Sequence, residues 1–295
     1  ANMVHIILRT DVKTHNMKGE IGEPGGEVTP RMGLVAFAFG AASAPHGGEL
    51  PGGALAGRAL IRLLAELGLS PGAARSLLLR MRREGWLDSE REGREARYRL
   101  APAVFAAQAR IERQLRGQRP PWEGSFNGVL YEIPEQARPF RDRLRRTAQL
   151  LGYATLRPGL LIATTDRWAE LGTLLPAQPP GSQLLKVAIA LEPDDSRAVA
   201  ARLWNLEHLA AGYRRVLADL RTRTAQAGQL APGGEAFRAF AAATLPVYEV
   251  TADDPDLPAE LLPADWPGDE LTSALGQTLR AFFPLIRDYL IAVTS

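Results

Sequence analysis

Residues 74–100 read ARSLLLRMRREGWLDSEREGREARYRL and set eight arginines among short apolar stations. Just upstream, Gly68 ends one helical pattern, Ser70 can cap the next, and Pro71 takes the first helical position, where a missing N–H costs nothing. In the helix so begun, Ala74, Leu78 and Met81 share one side, expected to be the core side. Arg75, Ser76, Leu79, Arg80 and Arg83 then face outward. Residues 86–89 and 96–100 read as two short strands about a turn at Glu92 and Gly93, with Tyr98 and Leu100 alternating with Arg97 and Arg99. Two further helices are expected upstream, over residues 30–40 and 54–67, the second repeating Leu60, Leu63, Leu64 and Leu67 at helical spacing. Helix, tight turn, helix and an arginine-bearing hairpin together spell a winged helix-turn-helix over residues 29–101.

The charge is local. The whole chain carries +2, yet residues 73–121 hold twelve arginines against six carboxylates. Nearly every cation is a guanidinium, since lysine occurs only at 13, 18 and 186. Guanidinium forks bind phosphate and guanine edges in bidentate fashion, so a polyanion is the expected partner, double-stranded DNA above all. On that reading Arg75, Ser76, Leu79, Arg80 and Arg83 include the base readers, and Arg91, Arg94 and Arg97 position the hairpin on phosphate.

Beyond the hairpin, residues 102–122 read as a connecting helix ending at Pro120 and Pro121. Residues 123–193 follow the order strand, helix, strand, strand, helix, strand, which is the ferredoxin-like pattern. Its pieces are strands at 126–133, 153–156, 160–163 and 184–191, and helices at 137–151 and 168–175. Residues 194–295 are expected to form a helical C-terminal domain serving dimerisation or effector binding, with apolar seams from Val199 to Leu220 and from Leu271 to Tyr289, the latter kinked at Pro284. Between the seams, residues 249–268 read as a solvated, acidic, proline-rich cover. The fold class is thus α+β and multidomain, preceded by a flexible leader over residues 1–28.

Several functions are set aside at once. With no cysteine, the chain has no disulfide, zinc finger, iron–sulfur cluster or thiol nucleophile. No apolar run nears the roughly 20 residues that span a bilayer, and residues 1–28 lack the layout of a secretory signal, so with no cysteine in the chain a cytoplasmic setting is expected. No G-x-S-x-G elbow, Walker lysine or H-E-x-x-H is present, and no enzyme or cofactor is expected. His208 reads as a half-buried structural histidine beside Trp204. Glu132, at the end of a strand, is a metal-ligand candidate for which a structural glutamate is the favoured reading, and the acidic run at 249–270 could likewise hold a hard divalent cation but is read as a solvated cover.

The segments GLSPGAARSLLLRMRREGWL (68–87), EREGREARYRL (90–100), VLYEIPE (129–135), LRPGLLIA (156–163), LWNLEHLAAGYRRVL (203–217) and LPAELLPADWPG (257–268) together resemble the PaaX family, repressors of bacterial phenylacetic-acid catabolism genes. The resemblance implies a winged helix, a ferredoxin-like domain and a helical C-terminal domain, and a homodimer that binds operator DNA. It further implies release by an aryl-coenzyme A thioester such as phenylacetyl-CoA. The chain departs from the family's usual small polar residue at Leu79. A flat acyl group with several phosphates needs an apolar pocket beside guanidinium groups, which makes Trp168, Trp204, Tyr213 and Trp266 the effector-site candidates. The central domain also resembles the small ferredoxin-like CRISPR adaptation protein, which keeps a metal-dependent nuclease centred on Glu132 as an alternative. A non-catalytic protein-interaction module is a third reading.

Overall fold

The computed structural model describes residues 29–50, 53–93 and 95–295. The leader expected over residues 1–28, and Arg94, lie outside the described residues. Helices and two antiparallel sheets make the α+β chain expected from the sequence. Its contacts gather into two compact units, one of residues up to Ala101 with Val216–Asp253 and Ala274–Ser295, the other of Pro102–Arg215 with Asp254–Ser273. This division differs from the four segments read off the sequence. The expected linker helix belongs to the second unit, and the C-terminal region is shared between both instead of forming a body of its own.

The first unit begins with α1 (Thr29–Ser43). From Val35 to Ala42 its apolar residues are buried on every side, so it is a core helix and not an amphipathic one. A two-residue strand, β1 (Leu55–Ala56), precedes α2 (Gly57–Glu66), where the sequence had pointed to helix from residue 54. Pairing of Leu55 with Tyr98 draws those residues into the sheet. A tertiary contact here overrides a local helical preference. The helix α3 (Pro71–Arg83) starts as expected, with Ser70 Oγ accepting a hydrogen bond from the Ala73 N–H at 3.3 Å. Ala74, Leu77, Leu78 and Met81 form its buried face. Strands β2 (Leu87–Glu92) and β3 (Glu95–Leu100) pair antiparallel from Leu87 with Leu100 to Glu92 with Glu95, in a sheet of order β1-β3-β2. Gly93 turns the hairpin at φ +61, a conformation that costs glycine nothing.

The second unit opens on α4 (Pro102–Leu115), then β4 (Ser125–Glu132), α5 (Arg138–Leu150), β5 (Ala154–Arg157), β6 (Leu160–Ala163) and β7 (Gln183–Ala190). The strands form one antiparallel sheet of order β5-β6-β4-β7. Alternation of side chains divides its two faces. Val129, Leu161, Ala163 and Leu184 pack with Leu144 and Ala148 of α5, whereas Phe126, Leu160 and Ile162 pack with Ala200, Leu206, Leu209 and Leu257. Where a second helix was expected at 168–175 there is a short 3-10 segment, Ala169–Leu174, interrupted by Gly172.

The long helix expected from the seam at 199–220 is broken. It becomes α6 (Pro193–Leu203) and α7 (Leu206–Gln226), because Asn205 adopts φ +46 and its side chain accepts a hydrogen bond from the His208 N–H. Asparagine tolerates that backbone and caps a following helix well, so one residue ends one helix and starts the next. His208 is exposed, not half-buried as expected. Helices α8 (Gly234–Ala252) and α9 (Gly268–Thr294) follow, each running through an internal proline, Pro246 and Pro284. In the first unit Phe37 of α1 stacks within 6.3 Å of Phe237, Phe240 and Tyr248, and Glu66 of α2 accepts hydrogen bonds from Tyr289 Oη and Arg238 Nη1, both at 2.6 Å.

The expectation of a solvated cover at 249–268 is corrected most sharply. Asp254 and Asp256 are fully buried in the second unit. Asp254 Oδ1 accepts from Gln114 Nε2 and the Asp256 N–H, each at 2.8 Å, and its Oδ2 accepts from Tyr213 Oη at 2.8 Å and Arg119 Nη2 at 3.4 Å. The fully buried Arg110 donates to the Asp254 carbonyl. Asp256 is less well served. Its Oδ2 meets Arg113 Nη2 at 3.2 Å and its Oδ1 has no hydrogen-bond partner. Burial, followed by repulsion from Asp254, accordingly lifts its pKa from 3.8 to about 6.

An acid with a raised folded-state pKa contributes stability that is complete below the unfolded pKa and is lost as pH rises through the folded one. Stability should therefore fall between pH 4 and 7 by on the order of 3 kcal/mol from this group. Asp256→Asn should flatten that part of the profile. Denaturation midpoints across this range check it, and identical profiles for the two proteins would refute it.

Candidate nucleic-acid interface

The outward face of α3 is built by elimination. With Ala74, Leu77, Leu78 and Met81 buried at steps of three and four, Arg75, Ser76, Leu79 and Arg83 are left exposed in one stripe. Leu79 is 45% exposed, in the middle of that stripe. Arg80, expected among the outward residues, is half-buried, and its Nε is sequestered without a partner. Arg82 is exposed as well, though the sequence reading passed it over. A shallow groove beside the helix is lined by Leu79, Arg82, Arg83, Leu87, Asp88 and Ser89, so the start of β2 continues the same surface.

The hairpin arginines differ in what they already hold. Arg97 donates from Nη2 to the Ala54 carbonyl at 3.0 Å and meets Glu92 at 3.1 Å, and Arg99 meets Glu90 at 2.7 Å. Both are part of the sheet's own lattice. Arg91 is exposed and donates from Nε to the Gly93 carbonyl at 3.2 Å, leaving its terminal nitrogens toward solvent. Of the three residues expected to lie on phosphate, Arg91 is exposed, Arg97 is occupied within the sheet, and Arg94 is outside the described residues.

Counting charge along the chain had joined two separate things. Of the twelve arginines in 73–121, Arg110, Arg113 and Arg119 serve Asp254 and Asp256, and Arg116 pairs with Glu112. The helix and hairpin retain eight arginines against five carboxylates, a surplus of three.

The four aromatic effector candidates do not meet at one place. Tyr213 and Trp266 lie 5.3 Å apart between ring centroids, with the Arg119 guanidinium 5.8 Å from the Trp266 ring. Trp204, 6.3 Å from Phe126, packs with Trp266 on the same cluster at one face of the sheet, so three of the four gather on that side. Trp168 packs on the cluster of the other face. Glu132 is exposed at the end of β4, paired in register with Gln183. Among the described residues no group of three or more His, Asp or Glu could hold a metal ion, and no helix is long and apolar enough to cross a membrane.

Fold and surface together define an α+β protein that presents a capped arginine-bearing helix and an adjoining hairpin. Three family models match in chain order: PaaX-like protein at residues 33–104, PaaX protein central Cas2-like domain at 119–179, and PaaX-like protein C-terminal domain at 204–292. The chain belongs to the PaaX family. It is 28% identical over 243 residues to the Transcriptional repressor PaaX of Escherichia coli (strain K12), covering 80% of this chain and 75% of that one. Among solved structures it is similar to the Uncharacterized protein Rv0674 from Mycobacterium tuberculosis, at 26% identity and a TM-score of 0.44, over 80% of this chain and 92% of the other.

Proposed function

We propose that this chain is a cytoplasmic, bacterial transcriptional repressor of the PaaX type and not an enzyme. In this reading α3 with the β2–β3 hairpin is a winged helix that binds operator DNA, and the central region, with its sheet order β5-β6-β4-β7, is ferredoxin-like with its second helix reduced to a 3-10 segment. The observation that carries it is the exposed stripe Arg75, Ser76, Leu79 and Arg83, set on a capped helix and followed at once by an arginine-bearing hairpin. Likeness to a named repressor over four fifths of the chain supports it. The helix enters a major groove and the hairpin lies along phosphate. A single such module reads too few base pairs to find an operator in a genome, so the protein acts as a homodimer on an inverted repeat.

Release follows from differential binding. An aryl-CoA thioester that binds the off-operator arrangement more tightly lowers the population competent for DNA. The test is titration of phenylacetyl-CoA, coenzyme A and phenylacetate into a preformed complex with the duplex upstream of the protein's own gene, after light scattering of the free protein. The expected results are a mass of twice 32.0 kDa and release by the thioester but not by the free acid. A strictly monomeric protein, or release by the free acid alone, would overturn the proposal.

A further inference from the structure

A cleft in the second unit is lined by Arg113, Arg119 and Arg167, together with Gln118, Thr165 and Glu170. The three guanidinium groups come from α4, from the segment after it, and from the loop after β6, so the chain brings three cations together from separate places. Like charges converge in a folded protein only where counter-charge holds them. Arg119 has that counter-charge in Asp254 and the Leu257 carbonyl, and Arg113 has it in Asp256.

Arg167 does not have it to the same degree. Its side chain is only 9% exposed, yet among the described residues its guanidinium makes no hydrogen bond. The two carboxylate oxygens that stand near it, Glu170 Oε1 at 3.8 Å and Asp256 Oδ2 at 3.9 Å, are beyond hydrogen-bonding distance. A guanidinium offers five N–H donors in a rigid fork, and Arg167 stands at the cleft with its fork unfilled by any acceptor among the described residues. Burial, with Arg113 adding repulsion, also weakens the hold of Arg167 on its proton, which an arriving anion would reverse. Asp166 does not fill the gap, because Lys186 holds it.

We propose that this cleft binds a phosphate-bearing small molecule, with the Arg167 fork taking two of its oxygens and Arg113 and Arg119 neutralising the rest. A flat carboxylate is satisfied by one fork, whereas guanidinium groups from three segments suit a multiply charged phosphate or pyrophosphate with oxygens pointing several ways. Applied to the effector, this assigns the phosphate end of a CoA thioester to the second unit, and for that ligand's identity it rests on the reading above.

The test uses full-length protein and inorganic pyrophosphate as the probe, with affinity measured by calorimetry for the parent, Arg167→Gln and Arg113→Lys. The parent should bind, and Arg167→Gln should lose about 10- to 100-fold in affinity. Arg113→Lys, at a side chain 37% exposed, keeps a cation beside Asp256 but gives up the fork, so it should fold and lose affinity in the same direction by a smaller factor, which keeps the test decisive if Arg167→Gln folds poorly. Operator affinity without effector should be unchanged in both. No binding by the parent, equal affinity in the parent and both variants, or a loss of operator binding in place of pyrophosphate binding would overturn the proposal. Pyrophosphate binding that depends on Arg167, in a protein that no thioester releases from DNA, would sustain the anion site and sink the effector reading instead.

Discussion

Replacing Asp254 by alanine is expected to lower the stability of the full-length protein by about 3–5 kcal/mol, the cost of removing one partner from a buried charged network. Both its carboxylate oxygens are taken, by Gln114, Tyr213, Arg119 and the Asp256 N–H, and the fully buried Arg110 lies against its backbone. Alanine would remove the carboxylate that Arg119 Nη2, Gln114 Nε2 and the Tyr213 hydroxyl share, leaving Arg119 with the Leu257 carbonyl and Gln114 with the residue 254 carbonyl but no counter-charge for the guanidinium at that place. Natural stability is typically only about 5–15 kcal/mol, so such a loss takes much of it away. The control is Asp265→Ala. That residue also pairs with an arginine, Arg214 at 2.6 Å, but its side chain is 79% exposed, and surface pairs contribute about 0–1 kcal/mol. Denaturant unfolding distinguishes the two. A cost below about 1 kcal/mol for Asp254→Ala would show that the network does not hold the second unit together.

Arg75→Ala is expected to weaken operator binding by about 1–3 kcal/mol and to relax sequence preference, while leaving random duplexes almost unaffected, as the loss of a bidentate base contact does. Arg91→Ala should instead weaken every duplex alike and reduce the salt slope by about 1, because a phosphate contact carries no sequence information. Leu79→Ser should shift which operator is preferred, since an exposed leucine on α3 can meet a thymine methyl and a serine cannot. It should not reduce stability, as the side chain is already 45% exposed. Arg97→Ala serves as the contrast. With Arg97 tied to the Ala54 carbonyl and Glu92, its loss should lower the unfolding midpoint as well as DNA affinity. Mobility shifts on operator and random duplexes at several salt concentrations decide between these outcomes. If neither Arg75→Ala nor Arg91→Ala changes binding, the helix and hairpin are not the DNA-binding surface.

The parts of the candidate site that were legible in the sequence are those set by neighbours a few residues away. Ser70 and Pro71 mark the start of α3 because capping is a contact across three residues, from Ser70 to Ala73. The outward placing of Arg75, Ser76, Leu79 and Arg83 follows from the helical repeat of Ala74, Leu78 and Met81. Arg80 escaped that logic because it lies at the flank of the stripe, where neighbouring elements and not the repeat decide exposure. Strand β1 escaped it too, since two residues carry no periodicity and only their pairing with β3 makes them a strand. At Asn205 an apolar seam ran on in sequence through a residue whose left-handed backbone ended the helix.

What the sequence by itself determined is therefore the local grammar: the capped helix with its buried and exposed faces, the arginine-bearing hairpin, and the order of the strands in the central region. Tertiary structure alone decided which arginines are available to a partner. Arg110 and Asp254 are 144 residues apart, and Arg119 and Asp254 are 135 apart, so no window of sequence contains both charges. A net charge counted along the chain treats all guanidinium groups alike. Folding separates them, because a charge taken out of water must find its counter-charge within a few ångströms, and the segment that supplies it here is the acidic stretch that read as solvated.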